Sequence, residues 1–287
     1  PSQSMTFKIG VDALPDFPKD STDRNRTSPF AFTGNRFEFR MVGSSENIAC
    51  PNHMLNTIVA SELSDIADQM EKVPADQFKD ELKKLLAEIV KEHKRVIFNG
   101  DGYSDAWVKE AAKRGLPNYK TTADCVPHYV DEKNVKLFEK FGIFSKAEIE
   151  ARVEILLESY SKTINIEALT MIDMAKKKYI PACLAYSKEL ADAIAVKKSI
   201  DVCTCVEKDL VKKITDETEK AYDAVQKLEE VTAVAAAKTC MQEMANAYRD
   251  TVLPVMDDLR KAVDALEVLL PSTMWPVPAY SEMIFNV

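Results

Sequence analysis

Glycine is scarce in this sequence, and its second half has none. The 287 residues include 7 glycines, all at or before Gly142. Long stretches without glycine that are rich in Ala, Glu, Lys and Leu favour helix, because these residues have high helix propensity. The sequence therefore predicts a helical C-terminal half.

Other absences exclude several classes of protein. No apolar run approaches the roughly 20 residues of a transmembrane helix, so no membrane partner is expected. The 6 cysteines are scattered without a disulfide framework, which favours free thiols in a reducing, cytoplasmic compartment. A net charge of -8 argues against a general nucleic-acid-binding surface. The 46% hydrophobic and 29% charged residues are typical of a globular protein with a buried core.

The first 45 residues differ from the rest, since they contain several prolines and glycines and two runs of alternating polarity, at 6–11 and 36–42. This pattern predicts strands and loops. The predicted fold class is α+β but mostly α, with a short strand-containing end followed by a bundle of long helices.

Start and stop signals predict the helices along the remainder of the chain. Ser145 and Glu148 form a capping-box pattern that opens a long helix, and Pro254 is expected to kink the last helix without ending it. The last four helices suggest an antiparallel bundle or two long hairpins. The predicted helices cover about 52–70, 75–93, 104–114, 131–141, 181–198, 206–230 and 233–269, with residues 115–127 as loop. The long helix opens at the capping box, and its apolar face extends at least to Met174.

Two further expectations concern packing. The apolar face of the long helix is predicted to comprise Ile149, Val153, Leu156, Tyr160, Ile164, Met171 and Met174. The segment from Pro271 to Val287 is rich in Trp, Pro, Tyr and Phe and has no helix pattern, so we expect it to dock. Its docking surface is either its own bundle or a neighbouring subunit or domain.

The residues with the clearest chemical potential are the charged positions of Arg36-Phe37-Glu38-Phe39-Arg40. On a strand, Arg36, Glu38 and Arg40 project to one face and the apolar residues to the other. Guanidinium groups bind phosphate and carboxylate bidentately, and a carboxylate among phosphates suits Mg²⁺ or Mn²⁺. This combination is typical of phosphoryl transfer, although a bare Arg-x-Glu-x-Arg also occurs as surface charges on a half-exposed strand.

The preceding residues resolve this ambiguity through a resemblance. The string Asn-Arg-Thr-Ser-Pro-Phe-Ala-Phe-Thr-Gly-Asn-Arg at 25–36 resembles the glutamine synthetases, in which an Asn-Arg-Ser element precedes an Arg-x-Glu-x-Arg strand. The sequence Pro-Phe-Ala-Phe-Thr-Gly-Asn within this string is most similar to the type III branch. Looser similarities to the type III C-terminal region occur at 98–103, 114–118 and 275–285.

The resemblance implies an ATP-dependent ligase that forms glutamine from glutamate and ammonia through a γ-glutamyl phosphate, with Mg²⁺ or Mn²⁺. Arg26 then corresponds to a nucleotide-phosphate contact, and Arg36 to the arginine that steadies the transferring phosphate. Glu38 corresponds to a metal ligand, and Arg40 to the arginine that pairs with substrate glutamate. The family also implies a cytoplasmic homo-oligomer of hexameric rings, as a dodecamer.

The resemblance also implies an incomplete site. A second arginine that commonly follows Asn-Arg-Ser is replaced here by Pro29-Phe30-Ala31-Phe32, and the remaining metal ligands and substrate loops of the family lie upstream. We therefore expect the isolated chain to be inactive. The predicted domains are 1–70, the C-terminal part of the catalytic domain; 71–145, a connecting region; and 146–287, a helical bundle with a docked tail.

One alternative function remains open. The chain could be a helical assembly or regulatory module with a non-functional catalytic strand. The turn Asn99-Gly100-Asp101-Gly102 fits no phosphate-loop spacing. The pairs Cys203 with Cys205 and Cys125 with His128 each lack the second half of a structural zinc site, so thiols without metal are expected.

Overall fold

The computed structural model describes residues 47–98, 102 and 104–285, and the backbone of four short strands nearer the N-terminus. The chain divides into two compact units, Pro1–Asn118 and Tyr119–Val287. These two units do not test the three domain ranges expected from the sequence, which stay a prediction. Helix predominates in the described residues, in agreement with the mostly α fold class.

The strands of the first unit form two antiparallel pairs. β1 (Thr6–Phe7) pairs with β2 (Phe17–Pro18), and β3 (Phe30–Phe32) pairs with β4 (Phe37–Phe39). These strands have only two or three residues each. That this end of the chain belongs to a catalytic domain therefore stays a prediction.

The helices of the first unit lie close to their expected positions. They are α1 (Ala49–Met70), α2 (Phe78–Glu92) and α3 (Asp105–Lys113), with a 3₁₀ turn at 94–96. The Ser104 hydroxyl accepts a hydrogen bond from the Trp107 backbone N–H at 3.3 Å. Because this bond satisfies one of the free N–H groups at the helix start, the expected N-cap is confirmed.

The second unit opens with α4 (Thr122–Cys125), a 3₁₀ turn (Val126–Val130) and α5 (Glu132–Lys140). The predicted loop over 115–127 is wrong at α4. The Thr121 hydroxyl accepts the Asp124 N–H at 3.2 Å, so a local cap starts a helical turn too short to show an amphipathic repeat.

A continuous helix follows, comprising α6 (Lys146–Met174), a π-helical turn (Ala175–Tyr179) and α7 (Ile180–Ser199). At 1.5 Å per residue it is roughly 80 Å long. It begins with the expected capping box, in which Ser145 and Glu148 satisfy each other's backbone N–H groups. The predicted break before Pro181 is wrong, because the widened π turn accommodates the proline ring and its missing N–H.

α8 (Cys205–Ala236) returns along this helix after a short turn. It extends beyond the predicted end at Glu230, because residues 233–236 are mostly alanine, the strongest helix former. The last helix accordingly starts at Met241 and not at 233. It comprises α9 (Met241–Ala247), a π turn at 248–252 and α10 (Leu253–Glu267), and it continues through Pro254 as expected.

Between residues 146 and 267 the chain therefore forms three continuous helical segments, not four, with α8 packed against both α7 and α10. On the long helix, Ile149 and Ile164 are buried as expected, but Leu156 is 37% exposed and its neighbour Leu157 is buried instead. The side chains that fill the core around α8 include Cys183, Ile214, Ala221, Val225, Leu228, Tyr248, Val252, Leu259 and Leu266.

The C-terminal segment docks on its own bundle. The Trp275 side chain is buried, and its ring stacks on Tyr179 with 5.1 Å between centroids. The expectation of no helix is wrong for α11 (Tyr280–Phe285). The Glu282 carboxylate accepts the Ala279 N–H at 3.0 Å, which stabilises the start of this short helix.

Candidate functional site

Glu38 is the expected site residue whose backbone the structure describes. It is the central residue of β4, and the strand register pairs it with Ala31 of β3. This pairing brings together the backbones of two parts of the motif, the Phe-Ala-Phe element and the Arg-x-Glu-x-Arg element. Arg26, Arg36 and Arg40 lie outside the described residues, so their grouping around Glu38 stays a prediction.

A metal-binding role for Glu38 stays a prediction, which rests on the preference of Mg²⁺ for hard oxygen ligands such as carboxylates. One carboxylate does not complete such a site. Within residues 47–98 and 104–285, no three His, Cys, Asp or Glu side chains group closely enough to hold an ion.

His128 has contacts that explain its position without a metal. Its Nδ1 lies 3.0 Å from Asp131 Oδ2, and its ring stacks on Tyr119 with centroids 4.2 Å apart. Of the Asn99–Gly102 turn, the structure describes Gly102 alone. The expectation that the turn is not a phosphate loop therefore stays a prediction.

A cavity of about 290 Å³ lies in the second unit. It lies between α6 with its π turn, α10 and the C-terminal segment. Its wall is largely apolar and includes Met171, Met174, Leu259 and Trp275, while Arg260, Asp264, Glu267 and Tyr280 supply the polar groups. The sequence does not predict this site, because the residues that line it come from separate segments of the chain.

The polar groups of the cavity hold the C-terminal segment in place. Arg260 Nε lies 3.0 Å from both carboxylate oxygens of Asp264, and Arg260 also donates to the Tyr280 hydroxyl. Glu267 accepts the Tyr280 backbone N–H at 2.9 Å. Burial, together with the nearby Asp264, raises the pKa of the Glu267 carboxyl. Because these groups are engaged with one another, we interpret the cavity as part of the docking of the segment.

Part of the chain matches a known protein family. Residues 81–198 match the family model of the glutamine synthetase C-terminal domain. The chain is therefore similar to the C-terminal portion of the glutamine synthetases. The resemblance seen at residues 25–40 is thereby confirmed at the level of the family.

Three relatives extend the match over almost the whole chain. A glutamine synthetase of Butyrivibrio fibrisolvens is 43% identical over 94% of this chain, and a type-3 glutamine synthetase of Dictyostelium discoideum is 38% identical over 98%. A glutamine synthetase of Bacteroides fragilis (strain YCH46) is 34% identical over 100%. The chain spans only 39% or 40% of the length of these relatives, in their C-terminal portion.

The glutamine synthetase relatives are ligases, so the class of reaction expected from the motif agrees with the family. A search of the described helices for long apolar stretches found none that would span a membrane.

Proposed function

We propose that the protein to which this chain belongs is a glutamate–ammonia ligase, which forms glutamine at the expense of ATP. The supporting observation is the alignment of 94% to 100% of the chain with three glutamine synthetases at 34% to 43% identity. In the proposed reaction, the γ-carboxylate of glutamate attacks the terminal phosphorus of ATP and releases ADP. Ammonia then displaces phosphate from the γ-glutamyl phosphate and loses a proton.

The Arg-x-Glu-x-Arg strand contributes positive charge and one metal ligand to this reaction. Arg26 and Arg36 neutralise the phosphate oxygens of ATP, which lowers the repulsion met by an incoming carboxylate. Arg40 holds the substrate glutamate through a bidentate pair with a carboxylate. These roles rest on the match between the motif and the family.

Glu38 is the proposed ligand for Mg²⁺ or Mn²⁺, which when bound neutralises phosphate charge. Its carboxylate is a suitable donor, and its place in the middle of a paired strand fixes its backbone. ATP and the metal ion are therefore the proposed cofactors.

The remainder of the chain is proposed to support the site and its assembly. Residues 1–70 form the end of the catalytic domain, 71–145 connect it, and 146–287 form a bundle that contributes to a cytoplasmic homo-oligomer of hexameric rings, as a dodecamer. Since the chain spans two fifths of its relatives' length, we propose that turnover requires residues from the longer protein.

Glutamine formation by the full-length protein tests the proposal. We expect product only when glutamate, ammonia, ATP and a divalent ion are all present. Hydroxylamine in place of ammonia should trap the activated acyl group as γ-glutamyl hydroxamate. Formation of glutamine without ATP consumption, or no product under any of these conditions, would refute the ligase assignment.

A further inference from the structure

The turn between α7 and α8 is held by backbone hydrogen bonds and an ion pair. Asp201 has a φ of 58°, in the left-handed region. The Val202 N–H bonds the Lys197 carbonyl at 2.9 Å, and the Asp201 N–H bonds the Lys198 carbonyl at 3.2 Å. These two bonds form a Schellman motif. An ion pair between Lys197 and Glu207 also joins the two helices beside the turn.

This turn places two thiols against each other. The sulfur atoms of Cys203 and Cys205 are 2.6 Å apart, and both residues are exposed. A disulfide bond has a length of about 2.05 Å, so a small movement of either side chain would join the two sulfurs. Thr204 between them is buried, which anchors the backbone while leaving both thiols accessible.

The surroundings favour Cys203 as the nucleophile. Hydrogen bonds from the Cys205 thiol and from the Cys205 backbone N–H lower the pKa of the Cys203 thiol. The hydrogen bond to Cys203 and the negative charge of Cys203 raise the pKa of the Cys205 thiol. Cys205 is the first residue of the 32-residue α8, and Cys203 directly precedes its N-cap Thr204, close to the helix end whose dipole stabilises negative charge. A reactive, exposed thiol beside a second thiol is typical of reversible oxidation sites.

We propose that Cys203 and Cys205 form a thiol–disulfide exchange site, which is oxidised by small-molecule disulfides such as glutathione disulfide. The Cys203 thiolate attacks one sulfur of the oxidant, forms a mixed disulfide and releases one glutathione thiolate. The Cys205 thiol then loses its proton to solvent and attacks the Cys203 sulfur, releasing the second glutathione. Two protein thiols are oxidised to one disulfide, and one glutathione disulfide is reduced to two thiols.

Metal capture is the less favoured use of the pair. Structural zinc takes four ligands, and the described residues offer no third His, Cys, Asp or Glu side chain grouped with these two.

Mass spectrometry of the full chain tests the proposal within one digest. Trypsin releases Ser199–Lys208, which contains both thiols, and Thr239–Arg249, which contains Cys240 alone. Cys240 is the matched control, because it is also exposed and directly precedes a helix. After brief exposure to glutathione disulfide at neutral pH, we expect the first peptide to lose two hydrogen atoms about tenfold faster than Cys240 gains glutathione.

Two variants separate the roles of the thiols. In Cys205→Ser, the Cys203 mixed disulfide should accumulate because no resolving thiol remains. In Cys203→Ser, the adduct on Cys205 should form several-fold more slowly. Equal adduct rates in the two variants, or a 199–208 peptide that stays reduced while Cys240 is modified, would overturn the proposal.

Discussion

The Arg-x-Glu-x-Arg motif and the helical unit 119–287 differ in how their sequences determine their roles. In the motif, a few residues of particular chemistry at fixed spacing indicate the family, and the structure adds the pairing of Glu38 with Ala31. In the helical unit, no single residue identifies a role, and the structure depends on contacts between distant segments such as Tyr179 and Trp275. We expect substitutions in the motif to change activity, and substitutions in the helical unit to change stability.

The largest expected effect concerns the 287-residue chain expressed by itself. It should fold yet form no glutamine, because it spans two fifths of its relatives and contains only part of the proposed site. The measurement is ATP-dependent glutamine formation by the isolated chain beside the full-length protein, with circular dichroism to confirm helix. Turnover by the isolated chain would show that the proposed division of the site is wrong.

Arg40→Ala in the full-length protein should raise the KM for glutamate on the order of 100-fold, because a bidentate, charge-assisted pair is lost. The KM for ATP should change far less. Arg40→Lys keeps the charge but loses the planar guanidinium group. Its KM for glutamate should lie between those of wild type and Arg40→Ala. Equal changes in both KM values would contradict the role of Arg40.

Trp275→Ala should destabilise the helical unit by about 3–5 kcal/mol, because a buried aromatic side chain is removed beside a cavity. Urea unfolding of the chain measures this change. Trp275→Phe should cost much less, since it keeps most of the ring packing and removes an indole N–H that has no hydrogen-bond partner in the described part.

Val268→Ala is the exposed control for Trp275→Ala, because the Val268 side chain is 83% exposed. Its effect should stay within about 0.5 kcal/mol. If Trp275→Ala is as mild as Val268→Ala, the C-terminal segment does not stabilise the bundle.

Ser145→Ala should lower the free energy of unfolding by about 1 kcal/mol, since it removes the N-cap of the long helix. Hydrogen bonds from the Ser145 N–H and hydroxyl hold the pKa of Glu148 below its ordinary value of 4.5. Because the folded-state pKa is lowered, this contribution is present above pH 4.5 and is lost as the pH falls through the lowered pKa. The difference from wild type, followed by urea unfolding, should therefore shrink in acid.

Ser159→Ala is the matched control, as an exposed serine-to-alanine change within the same helix. Its effect should be close to zero and independent of pH. A loss of stability equal to that of Ser145→Ala would contradict the capping interpretation.

Local signals in the sequence predicted the parts of the structure that depend on neighbouring residues. The Ser104 and Ser145 caps and the continuation through Pro254 are of this kind. The errors occurred where the outcome depends on more than neighbours. Pro181 carries a stop signal that the preceding π turn overrides, and Leu156 and Leu157 are equally apolar, so only packing decides which is buried.

The candidate site follows the same division. Glu38 was identified from spacing and family resemblance, because a chemical motif is contiguous in sequence. The polar side chains that line the cavity, such as Arg260 and Tyr280, were not predicted as a group. They come into contact only when the C-terminal segment folds back on α10.

Metal-dependent glutamine formation by full-length Glu38→Ala tests the central claim most directly. We predict a loss on the order of 100-fold against wild type, an unchanged unfolding transition, and a higher requirement for Mg²⁺. Glu132→Ala, the same change at a side chain 81% exposed in the helical unit, should leave the rate unchanged. A Glu38→Ala protein with a rate and Mg²⁺ requirement close to wild type would contradict the assignment of this strand to the active site.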